Sequence, residues 1–266
     1  MAQPAALAVA AHPDDIELMM GGTLILLGEA GFDLHYMNVA NGSMGSESIN
    51  REALVRQRTE EAREAARTLG ATFHEPVVDD LAVFYDPAII RRVCAVVRRV
   101  RPTILLVQSP QDYMEDHMSS TRIAVTAAFC RGMRNFVSDP PLSPIAEPVT
   151  VYHALPWGLR DPLRRRVKAG QYVDVGGTLD QKRDALACHK SQKEWLDVSQ
   201  GLDSYLITME DTSRAVGKLS GRFEHAEGWR RHLHAGFCDE GADPLSDALG
   251  EKCFTDQAYE EGLNLG

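Results

Sequence analysis

The chain has 266 residues, of which 44% are hydrophobic and 25% are charged, and its formal net charge is −10. This composition excludes a largely disordered chain and suits one large α/β domain, or a domain with an appended lobe. The acidic balance argues against nucleic acid or an anionic membrane as the main partner, because both favour basic surfaces.

The first predicted elements are a buried strand at residues 5–10 and a helix that begins at about residue 16. Between them lies the run His-Pro-Asp-Asp-Ile-Glu, residues 12–17. In an α/β fold such a turn lies at the carboxyl edge of the sheet, where ligands bind. His12 and Asp15 can each give a lone pair to one metal ion, which leaves Asp14 as a base. The same residues also fit a plain turn, in which the proline fixes φ and an aspartate caps the helix.

Strands and helices then alternate along the chain. Further strands are predicted at residues 34–39, 71–74, 103–107 and 149–153. Further helices are predicted at residues 50–69, 86–100, from 117 to about 131, and at 179–195. Because this alternation implies crossover connections, we expect an α/β fold with a Rossmann-like, mostly parallel sheet flanked by helices.

The C-terminal region is less regular, and only two helical turns are predicted there, within residues 223–237. No linker marks a second domain. We therefore expect a single domain, residues 1–266, with a core of about residues 1–195 and a C-terminal extension of about residues 196–266.

A third metal-binding residue is predicted in the loop at residues 109–117. This loop follows the strand at residues 103–107, so His117 is expected on the same sheet edge as His12 and Asp15. Two imidazoles and one carboxylate are the ligand composition of hydrolytic zinc sites, which keep one position for water. The sequence therefore predicts one divalent ion, Zn²⁺, bound by these three residues.

Both segments resemble motifs of the LmbE-like (PIG-L) zinc-dependent deacetylases. The first family motif is a strand followed by His-Pro-Asp-Asp-x-Glu, which residues 12–17 match. The second is usually His-x-Asp-His, and residues 114–117 read Met-Glu-Asp-His. Met114 thus stands where the family usually has its first histidine. The resemblance covers at least residues 5–130, with weaker matches to about residue 192.

The resemblance implies a function and a set of site residues. It implies that His12, Asp15 and His117 bind zinc and that Asp14 is the general base for water that attacks an amide. The substrate in this family is commonly an N-acetylglucosamine unit. Further candidates are the substrate-binding residues Arg58, Asp80 and Tyr113 and the supporting residues Glu17 and Asp116. Glu17 is equally explained by a favourable interaction with the helix dipole, and Arg58 by an exposed helix face.

The methionine at position 114 leaves the site without a proton donor, because a thioether has no proton to give. We hypothesise that a residue outside the second motif replaces it. Tyr113 is adjacent, and the other candidates are the histidines His153, His225, His232 and His234.

Three alternatives remain open. The substrate could be a non-sugar N-acyl compound, such as a thiol conjugate, a lipid or an antibiotic. The chain could be a non-catalytic protein that kept the fold. It could also bind a nucleotide at residues 174–178, although no G-x-x-x-x-G-K-[ST] motif is present.

We expect a small-molecule N-acyl substrate as partner, no nucleic acid and no membrane, while a homo-oligomer is compatible with the sequence. No run of about 18 apolar residues predicts a membrane span. The five cysteines form no C-x-x-C pair, and the N-terminus has no basic and apolar leader. These features predict a reduced, cytoplasmic protein.

Overall fold

A computed structural model describes residues 3–193 and 205–263. Its centre is an eight-stranded sheet with the order β3-β2-β1-β4-β5-β7-β6-β8. The strands are β1 (Ala5–Ala10), β2 (Asp33–Asn38), β3 (Thr72–His74), β4 (Ile104–Val107), β5 (Thr150–Ala154), β6 (Gln171–Asp174), β7 (Ala226–Arg231) and β8 (Cys253–Thr255). Neighbouring strands from β3 to β5 pair in parallel, and the pairs beyond β5 are antiparallel. The predicted fold class, a mostly parallel sheet flanked by helices, is confirmed.

The helices cover both faces of the sheet. They are α1 (Asp15–Met19), α2 (Gly21–Glu29), α3 (Arg51–Thr68), α4 (Pro87–Val100), α5 (Glu115–Phe129), α6 (Leu179–Leu186), α7 (Tyr205–Ser220), α8 (Pro244–Leu249) and α9 (Gln257–Gly262). Successive side chains of a strand point to opposite faces, and β1 is buried on both. Its alanines at positions 6, 8 and 10 pack with α1 and α2, while Leu7 and Val9 pack with α4 and α5. No helix in the described residues is both long and apolar enough to span a bilayer.

The first helix differs from the single continuous helix that the sequence predicts. The chain leaves helical geometry at Met20, where φ is −136°, so that α1 and α2 are separate helices. The amides of Gly22 and Thr23 donate to the carboxylate of Glu227 at 2.9 and 2.7 Å. A carboxylate from β7 therefore caps α2, and it is 204 residues away in sequence, out of reach of any local pattern.

The C-terminal region joins the sheet, since β7 lies between β5 and β6. The helical turns predicted within residues 223–237 are therefore wrong over β7, where the backbone pairs with strands on both sides. Trp229 is fully buried there, and its indole N–H donates to Thr23. Helix α6 ends at Leu186, earlier than predicted, and residues 194–204 lie outside the described part of the chain.

Candidate metal centre

The predicted metal ligands come together at the carboxyl edge of β1 and β4, which are parallel neighbours. His12 and Asp15 follow β1, and His117 lies in the first turn of α5, which follows β4. One ligand atom from each of the three residues lies within 4.8 Å of the other two, and all three residues are buried. This is a spacing at which a single ion can be bound by all three.

Each histidine of this cluster is also bound by an aspartate. His12 Nε2 lies 3.0 Å from Asp116 Oδ2, and His117 Nδ1 lies 3.0 Å from Asp112 Oδ1. Metal-binding histidines characteristically carry such a carboxylate on the ring nitrogen that does not bind the metal. His117 thereby directs its Nε2 to Asp15, whose Oδ1 is 3.4 Å away.

The charges of the cluster favour a cation at its centre. Burial alone would lower the pKa of His12, but its hydrogen bonds to Asp116 and Asp15 raise it to about 10. Burial opposes ionisation of Asp15 as well, yet the positive charge of His117 holds the pKa of this carboxyl well below its usual range. Positive charge between these carboxylates therefore stabilises the site, and a divalent cation held by His12, Asp15 and His117 would supply that charge in place of the histidine protons.

Asp14 lies beside the cluster in an unusual backbone conformation, with φ at 106°. Its Oδ2 accepts a hydrogen bond of 2.7 Å from the hydroxyl of Tyr205 and lies 4.0 Å from Arg58 Nη2. Burial, and then the charge of Asp15, raise the pKa of Asp14 to about 6. A carboxyl group with a pKa near neutrality is suited to general-base chemistry.

The cluster opens into a cavity of about 280 Å³. Its lining includes all three residues predicted to bind substrate, Arg58, Asp80 and Tyr113, and also Met114. Arg58 is buried and donates to the carbonyl oxygens of Pro13 and Gly42 at 2.8 and 3.3 Å.

Gly42 allows this close approach of Arg58. It has φ at +77°, and a Cβ there would lie 2.6 Å from the arginine side chain. Asp80 accepts from the amides of Gly42 and Met44 at 2.7 and 3.0 Å, so it fixes the same loop from the other side. Arg58 and Asp80 therefore hold the loop at residues 42–44 beside the cluster of predicted metal ligands.

Of the two residues predicted to support the metal ligands, Asp116 contacts one of these ligands and Glu17 does not. Asp116 contacts His12, and its Oδ2 also accepts from the amide of Leu81 at 2.7 Å. Glu17 is fully buried and instead pairs with His189 at 3.1 Å and Tyr36 at 3.3 Å, so it anchors α1 from behind.

The histidines proposed to replace the donor at position 114 lie elsewhere in the fold. His153 Nε2 is 2.9 Å from His232 Nδ1, and burial lowers the pKa of His153 to about 3. The described residues that line the cavity include none of the four candidates, His153, His225, His232 and His234. The hypothesis of a histidine donor is therefore not supported by the geometry. Tyr113 does line the cavity, with its ring edge-on to His117 at a centroid distance of 5.6 Å.

Sequence reasoning missed two residues of this site. Asp112 lay in the predicted loop but was not singled out, although an aspartate five residues before a histidine predicted to bind metal is a usable signal. Tyr205 gave no local signal, because it reaches Asp14 across 191 positions of sequence.

Comparison with known proteins shows which family the chain resembles. Residues 7–129 match the family described as PIG-L, GlcNAc-PI de-N-acetylase. The chain is similar to the PIG-L family over residues 7–129. The predicted resemblance is thus confirmed, as is the prediction that the chain is an enzyme.

Two relatives of known function carry different activities. A diacetylchitobiose deacetylase of Thermococcus kodakarensis is 27% identical over 234 residues, 84% of this chain and 81% of the relative. A 4-oxalmesaconate hydratase of Pseudomonas putida is 29% identical over 199 residues, 72% of this chain and 75% of the relative. Among solved structures, the N,N'-diacetylchitobiose deacetylase of Pyrococcus horikoshii is similar in fold, with a TM-score of 0.73 and 21% identity, covering 91% of this chain and 89% of that one.

Proposed function

We propose that this protein is a PIG-L-type, zinc-dependent deacetylase that hydrolyses the amide of an N-acetylglucosamine-type or related N-acyl substrate. The observation that carries the proposal is the buried cluster of His12, Asp15 and His117, with the carboxylate of Asp14 beside it and a cavity in front. The deacetylase relatives support the same reaction type.

The donor set fits zinc. Hydrolytic zinc sites use three protein ligands of imidazole and carboxylate type, and His12, Asp15 and His117 are of this type. The aspartates bound to both histidines are the supporting groups that such ligands need. When bound, zinc would lower the pKa of a water molecule toward about 7 and polarise the carbonyl of the amide.

Residues of the chain would move the protons. Asp14 accepts a proton from the attacking water and returns it to the nitrogen of the departing amine, so that the amide and one water give an acid and an amine. Met114 cannot donate to the carbonyl oxygen, whereas Tyr113 has an O–H and lines the same cavity. Desolvation of its hydroxyl, together with the negative charges of Asp15 and Asp112, raises the pKa of Tyr113 to about 12, which keeps this proton in place at neutral pH.

The charges that line the cavity favour amide hydrolysis over the reaction of the hydratase relative. The named substrate of that relative is a carboxylated acid, whose binding would call for several cationic side chains. Outside the proposed zinc ligands, the described lining residues contain a single permanent cation, Arg58, and three aspartates, at positions 14, 80 and 112. An acidic cavity suits a neutral amide and the cationic amine that it releases. Hydration of a carboxylated acid is therefore the second candidate.

The mouth of the cavity bears on the choice between sugar and non-sugar substrates. Met44, Leu81 and Tyr113 line it with 55%, 62% and 62% of their surfaces exposed. Exposed apolar side chains around a cavity favour a ligand with an apolar part. We therefore include N-acyl amines with an aromatic or alkyl group among the proposed substrates.

The cytoplasmic location stays a prediction; all five cysteines are free thiols, in accord with it.

Release of free amine tests the proposal. The zinc-loaded protein is incubated with N-acetylglucosamine, N,N'-diacetylchitobiose, an aryl glycoside of N-acetylglucosamine and an N-acetylated thiol conjugate, and primary amine is quantified. We expect release from at least one compound and its loss in H117A. Zinc-loaded protein that releases no amine but hydrates an unsaturated carboxylic acid would establish the second candidate instead.

A further inference from the structure

Tyr205 contacts Asp14 from a part of the chain that neither motif includes. We propose that Tyr205 is a positioning residue, which holds the carboxylate of Asp14 in the orientation needed to accept a proton from water. The inference rests on the proposed function, in which Asp14 is the base, and it extends the site to the C-terminal third of the chain.

Tyr205 is built into the core rather than free to move. Only 3% of its surface is exposed, and it packs in the same apolar cluster as Met209, one turn further along α7. Its hydroxyl donates to Asp14 Oδ2 at 2.7 Å, a short bond of the kind formed with a charged acceptor. The tyrosine also lines the cavity, so the bond lies at the site of reaction.

Asp14 needs such a partner because its own helix does not hold it. It occupies the position before α1, where an aspartate side chain normally accepts from an amide of the first turn. Here the side chain makes no such cap, and the backbone has φ at 106°, which is costly for any residue except glycine. The carboxylate is therefore turned away from α1 and held by a hydroxyl from α7, with the guanidinium of Arg58 4.0 Å away.

The hydrogen bond divides the two oxygens of Asp14 between two tasks. Oδ2 accepts from Tyr205, and no hydrogen bond to Oδ1 is formed within residues 3–193 and 205–263. A bond to one oxygen fixes the rotation of the carboxylate, so Oδ1 keeps a constant direction for the water. Without the hydroxyl the carboxylate can rotate, and small losses of orientation reduce rates strongly.

The test compares Y205F with Y152F in the full-length, zinc-loaded protein. Tyr152 is a matched control, because it is equally buried and its hydroxyl donates to an aspartate, Asp243, at 2.8 Å. It is not among the described residues that line the cavity. We expect Y205F to lower kcat by at least about tenfold with KM and zinc content nearly unchanged, and Y152F to leave kcat within about twofold.

A double variant shows whether Tyr205 acts through Asp14. In the Asp14→Asn background, adding Tyr205→Phe should change kcat by less than about twofold, because the base is already lost. Equal kcat losses in Y205F and Y152F, a change in KM alone, or a full tenfold loss in the Asp14→Asn background would overturn the inference. An inactive parent protein would overturn the proposed function as well, whereas an active parent with an unimpaired Y205F variant overturns this inference alone.

Discussion

Replacing Asp112 by alanine should weaken zinc binding without removing any metal ligand. The carboxylate of Asp112 is hydrogen-bonded to the Nδ1 of His117 at 3.0 Å. It also accepts hydrogen bonds from the amides of Met114 and Trp157 at 3.3 and 3.2 Å. Its removal frees the imidazole to rotate and leaves two buried or half-buried amides without their acceptor. Loss of such a supporting carboxylate lowers metal affinity by about 10- to 100-fold, or about 1.4 to 2.7 kcal/mol.

The assay is a competition titration, in which a chromophoric chelator of known affinity reports the dissociation constant for zinc. Asp86 gives the control, since it is an exposed aspartate that accepts from Ala88 N at the start of α4. Its change to alanine should cost about 1 kcal/mol of unfolding free energy and leave zinc affinity unchanged. Equal zinc affinity in D112A and the parent would refute the assignment of Asp112 as the residue that orients His117.

Three further outcomes are expected. Asp14→Asn should keep zinc and fold but lower kcat by about 10² to 10⁴-fold, and a parental rate would reduce Asp14 to a turn residue. Lys182→Met should lower the unfolding free energy in urea by about 3 to 5 kcal/mol, because it leaves the buried carboxylate of Glu227 without the ammonium 2.8 Å away; an unchanged midpoint would contradict this. Gly22→Ala should also lower the unfolding free energy in urea, by about 1 to 3 kcal/mol, since its Cβ would lie 2.6 Å from Val175. Gly177→Ala serves as control, because a Cβ there would meet nothing within 4 Å.

The cluster of His12, Asp15 and His117 could be predicted from sequence because each of its residues lies in a short segment that directly follows a strand. His12 and Asp15 lie in one turn after a strand, and His117 follows another strand. In a parallel sheet the ends of neighbouring strands meet at one edge, so the alternation of strands and helices was enough to bring the two segments together.

The rest of the site depends on contacts that local patterns do not encode. Tyr205 reaches Asp14 because α7 packs against β7 and β6 of the sheet, and the carboxylate of Glu227 from β7 caps α2 after the break between α1 and α2. The strand β7 itself was not predicted, because it needs partners from β5 and β6 on both sides. His153 and His232 have the chemistry of a proton donor, but they pack against each other and not in the cavity, which their sequence positions did not reveal.

The dependence of amine release on bound zinc tests the central claim most directly. The protein is stripped with a chelator, reloaded with increasing zinc, and assayed for metal content and amine release, beside H117A and the control H234A. We predict one zinc per chain, amine release that rises in proportion to it, loss of both in H117A and retention of both in H234A. Equal zinc content in H117A, or amine release that does not follow bound zinc, would contradict the account.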